Sequence, residues 1–459
     1  KKKLIRFTLH RLMTEPQSFF LITPDLTRYM TQPDRTKQPE IHSIGRLTMP
    51  DVRRLTLPSG VRMVIYDGGE ERVNRLTIAL AGGEAEESPS APSGLMTSMT
   101  LEGAGSLSGA EIADKLDYNG SWTSTGTHHY LTQRTFFSLN SHMSEVMPVI
   151  SDIVMHPVFP DHEVSVGREK EARMAELQRE KVSWHASHLL NTMLAGVGSL
   201  LASEPDPAAL REVTATSLCD AYYARLHPQA LTAYLTGRIT PEIEDMVGRA
   251  LDVASQAPYS PLPSLRPVTC GASAPEIRRI VRPGAVQSAV AAGIPSIGRQ
   301  HPDYEILRLA VVFLGGYFGS RLMSNIREDK GYTYGIGASL YGYETAGFVK
   351  IQTECDRRYV AGVIDEIRGE LIRMQDASTY TQEELLRCRS YMMTTLCAQL
   401  DSPFAVMDYY QNYDFIGAPE GYFERQQASI DAMNPDLLAE TSRRYLDPNQ
   451  LRIAVAGAD

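Results

Sequence analysis

The sequence predicts an α+β fold of two homologous units, each a mostly antiparallel sheet with helices packed on one face. Three observations indicate this class. A proline-rich segment divides the chain near its middle. Both halves end with the same order of elements. Strand and helix periodicities also follow one another in the same order in each half, which indicates an internal duplication.

The clearest boundary is the segment Ala257–Glu276, which contains five prolines. Proline fixes φ and removes a backbone donor, so this composition is typical of an extended linker. We therefore expect a linker over residues 257–275, between a first domain over 46–256 and a second over 276–459. Residues 1–45 are polar and basic in part, and we expect them to form a flexible tail.

The ends of the two halves match closely. RLHPQALTAYLTG (Arg225–Gly237) parallels YLDPNQLRIAVAG (Tyr445–Gly457), and in each a helix is expected to lead through a proline turn into an apolar strand. Earlier in each half, a strand is expected to follow a helix-ending glycine, in Asn119–His129 and in Lys330–Leu340.

An amphipathic helix and then a long helix are predicted next in both halves. The long helices are expected over Glu163–Leu194 and Gln382–Leu400. The amphipathic helices are indicated by apolar residues at helical spacing: Val146, Val149, Ile150 and Ile153 in the first half, and Val360, Val363, Ile364, Ile367, Leu371 and Met374 in the second.

Composition narrows the functional classes. A formal charge of −10 argues against nucleic acid as the main partner, because phosphate binding needs a basic face. The sequence has no run of about eighteen apolar residues, so no membrane span is expected. Its five cysteines are scattered without a C-x-x-C pair, which favours a reducing, cytoplasmic location and leaves a periplasmic one open.

The densest segment for chemistry is SRLMSNIREDKGYTYGIGASLYG, Ser320–Gly342. Arg327 is predicted in the last turn of a helix that Gly331 ends, where a cation is favourable against the helix dipole. Tyr334 is predicted to begin a strand whose alternation places it on the same side as Ile336, Ala338 and Leu340. A structural interpretation therefore makes Tyr334 a residue at the edge of the core.

A functional interpretation is also open. Arginine offers five donors in a fixed fork, and a tyrosine hydroxyl can donate to a carbonyl oxygen that gains charge. Together Arg327 and Tyr334 could bind the main chain of an extended peptide. Neither side chain can activate water.

The segment Gly315–Leu340 resembles the C-terminal-domain signature of the M16 metallopeptidases, the insulinase and pitrilysin group. Leu55–Tyr66 resembles the family's opening strand pair, and Leu101–Trp122 resembles the segment that follows its zinc helix. The resemblance implies two similar domains, or two chains of two domains, that enclose a chamber. It implies zinc held by an H-x-x-E-H motif plus a distant Glu. It also implies an Arg and a Tyr, seven residues apart, that reach the bound peptide, and these correspond to Arg327 and Tyr334.

The zinc motif is missing. H-x-x-E-H needs two histidines four residues apart, and no two of the eleven histidines have that spacing. The segment Pro92–Gly103, PSGLMTSMTLEG, stands where the motif is expected. His185 and His188 lie at i, i+3 with Glu176 and Glu180 before them. We interpret both as exposed helix residues.

Two other groups of histidines also fail as metal ligands. His128 and His129 alternate faces of a strand, so they cannot both reach one ion. The segment that begins at His162 has Val166 where the second histidine of H-E-x-x-H would stand. We assign no metal and no catalytic residue to this chain.

The resemblance therefore implies a non-catalytic, M16B-like subunit with substrate-binding residues Arg327 and Tyr334. A partner chain with H-x-x-E-H would supply zinc and the general base in a heterodimer, and the substrate would be a peptide or an unfolded polypeptide. An inert scaffold or a peptide-binding homodimer remains the alternative. A third interpretation is a zinc peptidase with atypical ligands that acts alone.

Overall fold

A computed structural model describes residues 36–37, 44–85, 88–252, 268–271, 274–344 and 346–458. The chain divides into the segment Lys1–Gly45 and one compact unit, Arg46–Asp459, and the following account concerns that unit. Most of the predicted tail (1–45) and most of the predicted linker (257–275) lie outside the described residues. The predicted domain limits therefore stay predictions.

The strands form two large sheets, one from each half of the chain, and one small hairpin. In chain order they are β1 (Arg53–Thr56), β2 (Arg62–Asp67), β3 (Val73–Ala81), β4 (Gly103–Ala104), β5 (Leu107–Ser108), β6 (Trp122–Thr127), β7 (Leu131–Leu139), β8 (Leu231–Gly237), β9 (Ile277–Val281), β10 (Ser288–Ile297), β11 (Thr333–Gly342), β12 (Ala346–Cys355) and β13 (Arg452–Gly457).

The α-helices among the described residues are α1 (Ser93–Met99), α2 (Gly109–Tyr118), α3 (Met143–Met155), α4 (Asp161–Arg179), α5 (Val182–Ala195), α6 (Pro207–Arg211), α7 (Ala215–Arg225), α8 (Pro241–Leu251), α9 (Tyr304–Val311), α10 (Val360–Met374), α11 (Gln382–Ala398), α12 (Pro403–Phe415), α13 (Tyr422–Ala432) and α14 (Pro435–Tyr445). Two π-helical segments, Val312–Gly316 and Met323–Asp329, follow α9. Capping boxes fix the starts of α2 and α11, where Ser108 pairs with Glu111 and Thr381 with Glu384.

The first sheet has the order β1-β2-β8-β3-β7-β6, and the second has the order β11-β12-β10-β13-β9. In the first sheet only β2 and β8 pair in parallel, and in the second only β13 and β9 do. The last strand of each half, β8 or β13, thus lies inside its sheet between an antiparallel and a parallel neighbour. The predicted α+β fold with two mostly antiparallel sheets is confirmed.

Each sheet has its own hydrophobic core. In the first half, α3 buries the predicted face of Val146, Ile150 and Ile153 against strands that include Leu76 and Phe136. In the second half, α10 buries its predicted apolar positions in the larger core of that half. The helical periodicity of the sequence therefore identified the buried faces correctly.

Each sheet also carries a helix from the other half on its second face. Helix α5 of the first half packs Ala186 and Leu190 against Ala291 and Phe348 of the second sheet. Helix α12 of the second half packs Met407 against the first sheet. This reciprocal packing adds to the predicted arrangement, in which helices cover one face only.

The predicted helix over Glu163–Leu194 is in fact two helices, α4 and α5. Lys181 between them is extended, with φ −78° and ψ 135°. The break has a physical reason, because α4 packs against α1 and α6 of the first half whereas α5 covers the second sheet. No helix in the described part of the chain is long and apolar enough to cross a membrane.

Candidate functional site

Arg327 lies in the π-helical segment Met323–Asp329, and the chain leaves this segment at Gly331 with φ +63°. Lys330 N–H donates to Asn325 O at 3.1 Å, a bond that closes the wider π turn. A left-handed residue after a helix favours glycine, as predicted for Gly331. The Arg327 side chain is 28% exposed, and its Nη1 lies 3.9 Å from Glu328 Oε1.

Tyr334 lies in a β-bulge at the start of β11. Thr333 pairs with Cys355 and Ile336 with Thr353, so β11 has one residue more than β12 in this stretch. The bulge is held by hydroxyl groups, since Thr353 Oγ1 donates to Gly335 O at 2.8 Å and lies 2.7 Å from Thr333 Oγ1.

The bulge corrects the predicted orientation of Tyr334. Regular alternation would place its side chain with the buried Ile336 and Ala338, but the extra residue turns it to the opposite side. Tyr334 is 92% exposed, so it is not a residue at the edge of the core. The interpretation of Tyr334 as a packing residue is therefore wrong.

The structure brings Arg327 and Tyr334 together. Arg327 Nε donates to Tyr334 O at 2.8 Å, and its guanidinium carbon lies 5.7 Å from the centre of the Tyr334 ring. The same carbon lies 4.6 Å from the centre of the Phe318 ring, which is 62% exposed. We call Phe318, Arg327 and Tyr334 the arginine–aromatic cluster. Cation–π contacts and the hydrogen bond to the backbone fix the guanidinium within it.

Gly315 sets the distance between this helical region and β11. A Cβ on Gly315 would lie 2.6 Å from Ala338 Cβ and 2.7 Å from Ala338 N, which is closer than atoms can pack. The glycine thus allows the helix to touch the strand that displays Tyr334. For Gly315, the close contact is therefore with β11.

The cluster lies beside an edge strand, on which Tyr334 stands. β11 is the outermost strand of the second sheet and pairs on one side with β12. Edge strands leave backbone N–H and C=O groups for another extended chain. The cluster therefore stands at a place where a peptide strand could be added to the sheet.

The segment that stands where the zinc motif is expected forms α1. Its polar side chains form hydrogen bonds within the protein. Ser93 Oγ donates to Gly83 O at 2.9 Å and accepts from Arg225 Nη1 at 3.0 Å. Thr97 Oγ1 donates to Ser93 O at 2.7 Å. The apolar side of α1 faces α4, where Met99 contacts Gly167. Hydroxyl and thioether groups in these roles do not make the imidazole and carboxylate set that zinc requires.

A buried arginine from the first sheet stands against α1. Arg134 on β7 is 4% exposed, and its Nη2 donates to Thr97 O and, at 2.7 Å, to Thr100 Oγ1. Burial lowers the pKa of Arg134 to about 10, so the guanidinium stays protonated at neutral pH. A permanent positive charge at this position opposes the binding of a cation. The residues present do not fit zinc.

The other histidines considered from the sequence lie in separate contacts. His185 and His188 lie on α5, and His188 stacks on Trp184 with ring centres 5.1 Å apart. His188 Nδ1 is 3.7 Å from Glu204 Oε1. Glu176 instead pairs with Arg211, 2.8 Å from its Nη1.

His129 and His162 also lie in separate parts of the first half. His129 Nδ1 lies 2.5 Å from Glu84 Oε2. His162 lies in the first turn of α4. Across the ranges that the structure describes, no group of three or more His, Cys, Asp or Glu side chains is placed to hold a metal ion.

Sequence reasoning missed Phe318 and Arg134. The signal for Phe318 was an aromatic residue within the glycine-rich GGYFGS segment, where a core position is unexpected. Arg134 gave a weaker signal, a charged residue in the alternating strand LTQRTFFSL. Its importance depends on its contact with α1, about 35 residues away in the sequence, which no local pattern reports.

Residues 212–392 match the family described as Peptidase M16 inactive domain. Among curated proteins, the chain is 22% identical over 365 residues to an uncharacterized zinc protease, YmxG, of Bacillus subtilis, which covers 76% of this chain and 85% of that protein. It is 21% identical over 441 residues to the human mitochondrial-processing peptidase subunit beta, covering 90% of this chain and 85% of that one.

Solved structures show the same fold. A peptidase M16 inactive domain from Pseudomonas fluorescens superposes with a TM-score of 0.79 at 19% identity, covering 89% of this chain and 98% of that one. A protease from Helicobacter pylori superposes with a TM-score of 0.78 at 13% identity, covering 89% and 100%. The matched segment, the relatives and the fold all make the chain similar to peptidase M16 proteins, and its sequence has no H-x-x-E-H motif.

Proposed function

We propose that this chain is the non-catalytic, substrate-binding subunit of a two-chain M16 zinc peptidase. The observation that supports this most is the arginine–aromatic cluster, displayed beside an edge strand. In the same chain, a buried arginine stands against the helix that takes the place of the zinc motif. In this division, the chain binds the substrate peptide, and a partner with H-x-x-E-H supplies zinc and the general base.

Arg327 is fixed in a way that leaves donors for a ligand. Its Nε is engaged by Tyr334 O, while Nη1 and Nη2 make no hydrogen bond to any residue that the structure describes. Stacking on Phe318 reduces the rotamer freedom that binding would otherwise remove. The guanidinium can thus bind peptide carbonyls, or a C-terminal carboxylate in bidentate form.

Tyr334 supplies the second group. Its side chain is 92% exposed, and the carbonyl of the same residue is held by Arg327. A phenol placed in this way can donate to a substrate carbonyl oxygen and stabilise the charge that develops there when the partner's water attacks. Neither Tyr334 nor Arg327 can generate the nucleophile, so the proposal requires the second chain.

Two comparisons support an assembly. The name of the human relative describes a subunit, and a chain of complex III2 from Candida albicans superposes with a TM-score of 0.69. A cytoplasmic location remains our prediction, and one structural neighbour is a periplasmic protease, PqqL of Escherichia coli. An inert scaffold or a homodimer is the outcome that the following experiment would favour if the proposal fails.

The test is peptide affinity in an assembled but inactive pair. The chain is mixed with an H-x-x-E-H partner encoded beside it, in which that Glu is changed to Gln so that labelled casein peptides are bound and not cleaved. Fluorescence anisotropy gives Kd for the wild type, for Arg327→Ala and for Arg249→Ala. Arg249 is exposed on α8 and pairs with Asp245, so it serves as the matched control.

We expect Arg327→Ala to weaken binding about tenfold to a hundredfold, the value of one or two charge-assisted hydrogen bonds. Arg249→Ala should leave Kd unchanged. Equal affinity for the wild type and Arg327→Ala would contradict the role of the cluster. Absence of any binding, together with self-association of the chain, would favour the homodimer.

A further inference from the structure

A small cavity of about 30 Å³ lies where α1 meets the first sheet. Its polar lining comes from Thr97 and Thr100 at the end of α1, Thr132, Gln133 and Arg134 on β7, and Tyr222 on α7. Aliphatic side chains of β3, α3 and β8 complete the wall. The lining includes hydroxyl groups, one carboxamide and one guanidinium but no carboxylate, so its polar chemistry suits a negative charge.

Of the two terminal nitrogens of Arg134, Nη2 forms hydrogen bonds within the protein. Nη2 donates to Thr97 O and Thr100 Oγ1, which satisfies the end of α1. Nη1 is buried and has no hydrogen-bond partner among the residues that the structure describes. Arg134 pairs with Ile78 across the sheet, and both residues line the cavity, so the unpartnered donor belongs to this face of the sheet.

The charge of Arg134 is also uncompensated. Within the described part of the chain no carboxylate forms an ion pair with Arg134, and the hydroxyl of the neighbouring Tyr222 donates to Val154 O at 2.7 Å. A buried charge without a counter-charge is strongly unfavourable, even where its hydrogen bonds are partly satisfied. A water molecule would fill the cavity and accept from Nη1, but it would leave the charge unbalanced.

We propose that this cavity binds one small monovalent anion, chloride under physiological conditions, against Nη1 of Arg134. The volume suits a single halide-sized ion better than a larger oxyanion such as sulfate or methanesulfonate. The anion site lies beside the helix that stands in place of the zinc-binding helix. An anion, opposite in charge to zinc, therefore stabilises this region of the non-catalytic chain. The inference does not depend on the proposed peptide-binding role.

The test measures thermal unfolding of the whole chain in sodium salts of equal ionic strength. Going from sodium methanesulfonate to sodium chloride or bromide at about 0.2 M should raise Tm by about 2–4 °C, because an anion that binds only the folded state stabilises it by mass action. The difference should vanish in Arg134→Gln. It should persist in Arg173→Gln, which removes an exposed charge on α4.

A crystal grown in bromide gives a second measurement that does not require the variant to fold. Anomalous scattering should reveal one bromide beside Nη1 of Arg134. Equal Tm in all three salts, an equal chloride effect in Arg134→Gln, or water alone beside Nη1 in bromide crystals would each overturn the proposal.

Discussion

Replacing Tyr334 by phenylalanine separates a structural role from a functional one. The substitution removes only the hydroxyl group, and the Tyr334 side chain is 92% exposed. Arg327 binds the carbonyl of Tyr334 and not its phenol, so the hydrogen bond at 2.8 Å and the ring contact both survive. The free energy of unfolding should therefore change by less than about 0.5 kcal/mol, the usual range for surface substitutions.

The effect on the assembled peptidase should be much larger. If the hydroxyl donates to the carbonyl oxygen in the transition state, kcat should fall about 10²-fold, as for the loss of one oxyanion donor, with KM little changed. The assay is peptide hydrolysis by the chain mixed with the proposed zinc-bearing partner, beside urea unfolding of the chain alone. Unchanged kcat would refute the catalytic contribution of Tyr334. A loss of stability above about 1 kcal/mol would refute the inference that its exposed hydroxyl contributes little to folding.

Three further predictions concern the parts that position the site. Gly315→Ala should destabilise the chain by about 1–3 kcal/mol in urea unfolding, because the new Cβ would lie 2.6 Å from Ala338 Cβ; an unchanged midpoint would contradict the close contact. Thr353→Val should cost about 1 kcal/mol and speed amide exchange in the bulge, since the hydroxyl donates to Gly335 O at 2.8 Å; normal protection of Gly335 and Ile336 would show that the bulge does not depend on it. Burial lowers the pKa of Lys350 to about 8. The unfolded chain thus binds more protons than the folded one between about pH 8 and 10.5, and stability should rise through that window by on the order of 3 kcal/mol from this group. Lys350→Met should flatten the rise in pH-dependent urea unfolding, and a rise of equal size in that variant would assign it to other groups.

The fold class could be predicted from the sequence because local patterns indicate its helices and strands. The apolar spacing of Val360–Met374 predicted both the helix and its buried face, and Gly331 predicted the end of the helical region before β11. The parallel endings of the two halves predicted a final apolar strand in each, and the structure places each of these strands inside its sheet.

Contacts between distant segments could not be predicted in the same way. The break between α4 and α5 follows from packing of α5 on the second sheet, which is formed about a hundred residues later in the chain. The alternation rule failed at Tyr334, because a bulge adds one residue and reverses the face of the side chain. Charge burial at Arg134 likewise depends on α1, α7 and β7 meeting in space.

The division of labour between two chains is tested most directly by titration. A fixed amount of the H-x-x-E-H partner is mixed with increasing amounts of this chain, and zinc content and peptidase rate are measured together. The account predicts that the rate rises to a plateau at one chain per partner, that all zinc stays with the partner, and that Arg327→Ala lowers kcat/KM at the plateau about tenfold to a hundredfold. Full activity of the partner alone, or the same plateau with Arg327→Ala, would contradict it.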